Sequence, residues 1–303
     1  MTTVAKSRFL DLRGLSALEH LRFATRKRIE GSFSGRHASR QQGGAGEFVD
    51  YREYTDGEDL RRLDWKVLAR SGRAYIRLYQ DETNLVCTLA LDTSGSMLFG
   101  SPNDRRGPTN KLEYVQYLAS ALAHVIARGS DQVGLALLGE RLRDLLPPGA
   151  APSHLARIYD GIEGITTQPT VRMAASLNEL FERTTRRGVL LVMSDFLMDD
   201  LAEVFAALRL FRYRQWEVLA LHFVHPHEER LPEGTAFRFV GLENDGWLDC
   251  SPAEIRANYQ QHFAAHLASV RTAALAIGCD YRRISTAVDY LSVLRGFLVE
   301  RAG

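Results

Sequence analysis

From position 85 onward, short apolar runs alternate with segments whose apolar residues recur every three or four positions. Residues 85–91 form a continuous apolar run that ends at Asp92, which predicts a buried strand. Leu112, Val115, Leu118, Leu122 and Val125 or Ile126 follow at helical steps and predict a helix with one apolar face. Residues 132–138 predict a second strand, paired with 142–146 until Pro147-Pro148 ends the run. Short helices around 155–162 and 177–184 precede a third strong strand, 188–195, which again closes on an aspartate. A helix over 201–211 and a strand over 216–224 come next. Beyond an irregular strand region around 237–248, Pro252 suits the first turn of a long helix carrying Ile255, Tyr259, Phe263, Leu267 and Val270 down one side. A strand at 279–284 and a helix near 288–299 close the chain. This alternation predicts βαβ units and an α/β fold, Rossmann-like, with a mostly parallel sheet covered by helices on both faces. Ligands of such sheets collect beyond the carboxyl ends of the strands, where Asp92 and Asp195 both fall.

The first eighty residues are patterned differently. Residues 31–46 are glycine-rich and polar and read as a loop. A phosphate-binding loop would need G-x-x-x-x-G-K-[ST], and the string is missing. Residues 47–73 alternate acids and bases around a turn at Asp56-Gly57, a short helix at 60–69 and a strand at 74–79. By itself that alternation describes a solvated, ion-paired face. Charge adds one constraint: residues 1–46 hold nine Lys/Arg against three acids, yet the 303-residue chain has 38 basic and 37 acidic residues, net +1. A chain built for nucleic acid would need a basic excess, so no nucleic-acid partner is expected. Three scattered cysteines give no zinc framework. The chain has no apolar run of eighteen residues and no signal-peptide pattern, so no membrane span and a cytoplasmic location are expected.

The chemistry concentrates at Asp92-Thr-Ser94-Gly-Ser96, three short oxygen side chains on one tight loop after an apolar strand. As a bare string it also fits a polar strand-to-helix turn. It resembles the first motif of the metal-ion-dependent adhesion site of von Willebrand factor A domains. That resemblance implies a magnesium site, with manganese or calcium as alternatives, held directly by Ser94, Ser96 and a threonine, while Asp92 and Asp195 act through water. Ser194-Asp195 matches the third motif. Thr170 in Gln-Pro-Thr-Val-Arg is the best match for the second, with Thr166 and Thr167 open as alternatives. The ligand loop is expected to be exposed, outside the core. Neutral direct ligands would leave the ion's charge uncompensated, and the family's open position attracts a carboxylate from a partner protein. A competing reading is a phosphotransferase of the Asp-x-Asp-x-Thr kind with Asp92 as nucleophile, but Ser94 stands where its acid/base would be.

Arg52-Glu53-Tyr54, the acidic turn, Arg61-Arg62, Asp64-Trp65 and Ala69-Arg70-Ser71-Gly72 closely resemble the segment before the A-type domain in a bacterial family, domain-of-unknown-function family 58. Tyr259, His266, Cys279-Asp280-Tyr281 and the terminal Leu294-x-x-Phe297-Leu298 extend the likeness. It implies an N-terminal segment over 1–81, a von Willebrand factor A-like domain over 82–303, no catalysis, and a MoxR-type AAA+ ATPase partner in chaperone-like work on a client protein. A structural domain with a degenerate metal site is the third possibility. His222, His225 and His227 have ligand-like spacing but are interrupted by Pro226; a strand-exit turn is expected there. Cys87 is read as a small core residue, and Trp65, Trp216 and Trp247 as packing residues.

Overall fold

The computed structural model describes residues 7–25, 47–55, 60, 63–80, 85–100, 108–234 and 236–302. The chain divides into two compact units: Met1–Lys27 with Leu85–Gly303, and Arg28–Asn84. This corrects the expected boundary, because the first residues belong with the large unit rather than with the Arg-Glu-Tyr region. The reason is apolar: Leu15 within helix α1 (Leu12–Ser16), capped by Asp11, and Leu18 just after it are buried. Phe9 meets Tyr117 edge-on, and Phe23 packs on Phe297.

In the smaller unit, β1 (Glu47–Glu53) and β2 (Tyr75–Gln80) pair antiparallel, and α2 (Trp65–Ser71) lies between them in sequence. Asp64 caps α2 by accepting from the Lys66 and Val67 amides, and Tyr51 donates to its other oxygen at 3.1 Å. Gly72 ends the helix at φ 67°, a left-handed position that glycine adopts without strain. The Asp-Trp and Ala-Arg-x-Gly strings are thus helix start and stop signals. The acidic turn and Arg61-Arg62 lie outside the described residues.

The large unit is built on β3 (Val86–Asp92), β4 (Gln132–Leu138), β5 (Leu142–Gly149), β6 (Val189–Ser194), β7 (Glu217–Val224) and β10 (Asp280–Ser285). Their order is β10-β7-β6-β3-β4-β5, all parallel except β5, which runs antiparallel to β4. The Rossmann-like, mostly parallel sheet is as expected. β5, however, runs on through Pro147-Pro148 to Gly149. It is an edge strand, and there a proline's missing N–H breaks no ladder bond.

Side chains alternate across the sheet with period two. Ala90, Val192, Val218 and Ala220 pack with α5 (Met173–Arg183), α6 (Leu201–Tyr213) and α8 (Pro252–Ala276). On the other face Leu221 and Ile284 meet Leu118 and Leu122 of α3 (Lys111–Arg128) and Phe297 of α9 (Tyr290–Ala302). On this side α4 (Pro152–Glu163) lies beside α3, with Gln116 donating to the Ile162 carbonyl. Five residues of α8 carry the expected stripe, but only Val270 is fully buried. After β7 come a single turn, α7 (Pro226–Glu229), and a hairpin of β8 (Phe237–Val240) and β9 (Trp247–Cys250). Among the described residues no helix is long and apolar enough to cross a membrane.

Candidate metal site at the strand ends

β3 and β6 lie side by side at the point where the strand order reverses, β3-β4-β5 running one way and β6-β7-β10 the other. Such a switch point opens a crevice beyond the carboxyl ends of the strands. Asp92 is the last residue of β3, and Asp195 follows β6. One Asp92 oxygen accepts from the Ser94 amide at 2.9 Å and the other from the Ser194 hydroxyl at 2.5 Å. Burial first, and then the charge of Asp195, push the Asp92 carboxyl up to about 7, against the pull of the bonds from Ser194 and Ser94. A 3-10 turn, Gly95–Leu98, then carries Ser96 so that its hydroxyl meets that of Ser94 at 3.0 Å. Two cis ligands of an octahedral magnesium ion, each about 2.0–2.1 Å from it, stand about 2.9–3.0 Å apart. The hydroxyl pair has that spacing.

Asp195 is engaged twice. One oxygen accepts from the Leu197 amide at 3.1 Å and the other from the Lys111 ammonium at 2.6 Å. Lys111 also donates to Glu228 of α7, and all three side chains are buried. Burial works against the ammonium, but the Asp195 and Glu228 charges outweigh it and hold Lys111 above its ordinary range. Burial pushes Glu228 the other way, up toward neutrality, only partly offset by Lys111. The charged lysine is the firmer of the two, since two carboxylates share one ammonium. Two carboxylates, Asp195 and Glu228, therefore share one buried cation, with Asp92 close enough to Asp195 for their charges to interact. Hydroxyls at octahedral spacing, backed by surplus carboxylate, fit a hard divalent cation.

The ligand loop is not the exposed one expected. Asp92, Ser94 and Asp195 are buried and only Ser96 is half-buried. Ser194 and Lys111 enclose the loop from below. From above, the turn of the β8–β9 hairpin sits on it, with the Ser96 amide donating to Glu243 at 3.0 Å. Gly95 is required here for close approach, because a methyl at this position would overlap the Leu242 carbonyl oxygen. Gly95→Ala should unseat the hairpin and leave the sheet intact. Faster amide exchange confined to the loop and residues 237–250 is the expected readout, and unchanged exchange there contradicts the contact.

Asp92, Ser94, Ser96 and Asp195 are thus brought together, and Thr170 is not. The Gln168 amide donates to the Thr93 carbonyl and Gln168 bridges to Ser94, but Thr170, two residues on, is exposed and makes none of the site's hydrogen bonds. Thr166 is held by Arg143 through its carbonyl and hydroxyl, and Thr167 is half-buried beside Gln168.

The sequence reading missed Lys111, Glu228 and Glu243. Lys111 had a signal: it stands in phase with Val115, Leu118 and Leu122, a charge on the apolar stripe. Of the histidines, His222 is buried with its Nδ1 at 2.9 Å from the Tyr281 hydroxyl, and burial lowers it to about 3. His225 caps α7 in a capping box with Glu228, so the pair forms a strand-exit turn. Cys87 is buried. Trp216 packs in the core against Phe211. The packing expectation fails for Trp65 and Trp247, which are 60% and 64% exposed. Trp247 lies on a two-stranded hairpin beside Arg238, whose guanidinium is 4.4 Å from a Trp247 ring centroid.

Sheet order and site together define a Rossmann-like α/β domain with a serine-rich, aspartate-backed loop at its switch point. The chain belongs to the family described as "Protein of unknown function DUF58", which matches residues 50–269. It is 25% identical over 291 residues to the uncharacterised proteins Rv1480 of Mycobacterium tuberculosis and Mb1516 of Mycobacterium bovis, covering 94% of this chain and 89% of each relative. Similar solved structures include BatB from Bacteroides thetaiotaomicron, 14% identical with TM-score 0.43, covering 72% of this chain and 99% of that one. An aerotolerance-related membrane protein from Bacteroides fragilis is 18% identical, TM-score 0.43, with 72% and 98% covered. The SpRpn10 VWA domain is 12% identical, TM-score 0.40, with 70% and 94% covered.

Proposed function

We propose that this protein is a cytoplasmic protein-interaction module whose partner surface is the crevice above β3 and β6, and that it works with a bound magnesium ion. The observation that carries this is the Ser94–Ser96 hydroxyl pair at 3.0 Å above the buried Asp92 and Asp195. Ser94 and Ser96 would hold the ion directly, with manganese or calcium as substitutes. Of the three candidate threonines, Thr167, next to the anchored Gln168 and half-buried, would be the one to add a further oxygen, ahead of the exposed Thr170 and the Arg143-held Thr166. When bound, the ion supplies a Lewis-acidic position that prefers anionic oxygen. Asp92 is fixed by Ser194 and the Ser94 amide, and Asp195 by Lys111, so both are positioned before any ion arrives.

By family resemblance the partner is a MoxR-type AAA+ ATPase that presents a carboxylate to this face, and the role is chaperone-like rather than catalytic. Recovery of such an ATPase with the full-length protein should be high in magnesium and low in EDTA at matched ionic strength, which removes simple screening as the cause. Equal recovery in both buffers, with Ser94→Ala also binding normally, would place the interaction on another surface. Phosphomonoester or nucleotide turnover that disappears in Asp92→Asn would replace this reading with the phosphotransferase one.

A further inference from the structure

Glu243 does more than hold the ligand loop from above, because its position is specific. It comes from the turn between β8 and β9, is half-buried, and accepts the Ser96 amide at 3.0 Å from a point 147 residues further along the chain. Beside it the Leu242 carbonyl lies against Gly95, where the missing side chain makes the approach possible. The Asp92, Asp195 and Glu228 carboxylates are all in the buried layer beneath the hydroxyls. Glu243 reaches the loop from the hairpin side, the direction from which a partner's carboxylate would also come. A hard cation with neutral direct ligands favours one anionic oxygen in its remaining position.

We propose that Glu243 is an internal ligand of the Ser94–Ser96 site: with the ion bound, its carboxylate fills the position that a partner's carboxylate would take, so the hairpin has to lift before a partner can bind there. This rests on the divalent-cation reading above. The hairpin is built to be displaced. Its strands are four residues each, and a two-stranded hairpin of that length is marginal on its own. Val240, Trp247 and Leu248 are exposed rather than anchored in the core. Lifting it breaks the Ser96–Glu243 bond and the Leu242–Gly95 contact and leaves the sheet untouched.

Manganese provides the test, because water-proton relaxation of the full-length protein loaded with Mn2+ reports how many exchangeable waters the ion keeps. Glu243→Ala should add one water to the two or three of an octahedral shell and raise relaxivity per bound ion by about a third to a half. Glu243→Gln retains an acceptor for the Ser96 amide, and hence the hairpin's seat, but loses the charge; its Mn2+ affinity should fall several-fold. Asp245→Ala, exposed in the same turn, should change neither value. If wild type, Glu243→Ala and Glu243→Gln bind Mn2+ with equal relaxivity and affinity, Glu243 only seats the hairpin and the proposal is overturned while the cation reading stands. If the wild type binds no Mn2+, both fall together.

Discussion

Lys111→Met is expected to lower the stability of the protein by about 3–5 kcal/mol, the usual cost of removing one partner from a buried ion pair and stranding the other. Here two carboxylates, Asp195 and Glu228, lose their shared ammonium in a site closed to water. Methionine fills much the same volume, so the loss is electrostatic and not a cavity effect. In urea denaturation the midpoint should drop by about 1 M or more for slopes of a few kcal/mol/M. Alkaline pH gives the sign. A lysine held above its ordinary value of 10.5 contributes stability that is fully present below that value and is lost as pH rises through the raised one. The gap between wild type and variant should therefore persist from neutral pH to about 10 and close only beyond. A loss under about 1 kcal/mol would contradict a stabilising role for the shared ion pair.

Ser94→Ala and Ser96→Ala should each weaken magnesium binding, measured calorimetrically, by about 10–100-fold or more. Mutating groups that merely support metal ligands already costs that much, and these hydroxyls are the proposed ligands themselves. Both variants should stay folded. Each loses one hydroxyl of a mutual 3.0 Å pair, whereas the Asp92 bonds to the Ser94 amide and to Ser194 do not depend on it. Asp92→Ala is a poorer probe, because it empties a fully buried position and leaves Ser194 without its acceptor. Undiminished binding in both serine variants would remove the metal assignment.

The large unit was legible because a parallel sheet buried on both faces writes itself as continuous apolar runs. The strands at 85–91, 132–138, 188–195 and 216–224 stand within a residue or two of β3, β4, β6 and β7. The first and third motifs were legible for the same reason, since each aspartate marks the end of such a run. What escaped depended on long-range closure. Glu243 reaches Ser96 only after the hairpin folds onto Gly95, and no local period encodes that. β1 has no legible period, because Glu47-Phe-Val-Asp-Tyr-Arg-Glu53 mixes charged and apolar positions without strict alternation. β5 was cut short because proline was weighed as a strand breaker without knowing that the strand lies at the edge. Lys111 is legible only as a cation on the apolar stripe of α3; its partners, Asp195 and Glu228, come from distant segments that no local period links to it.

The smaller unit leaves the larger one after Lys27 and the chain returns at Leu85. Both passages are fastened to the same corner. Arg128, at the end of α3, donates to the Leu18 and Leu21 carbonyls, and Asp131, three residues later, accepts the Leu85 amide at 2.8 Å. In chain order residues 28–84 interrupt the large unit, whose described flanks, residues 18–21 and Leu85, are both held by residues of the α3–β4 connection. Such an interruption is tolerable entropically, since the cost of closing a loop grows only slowly with its length.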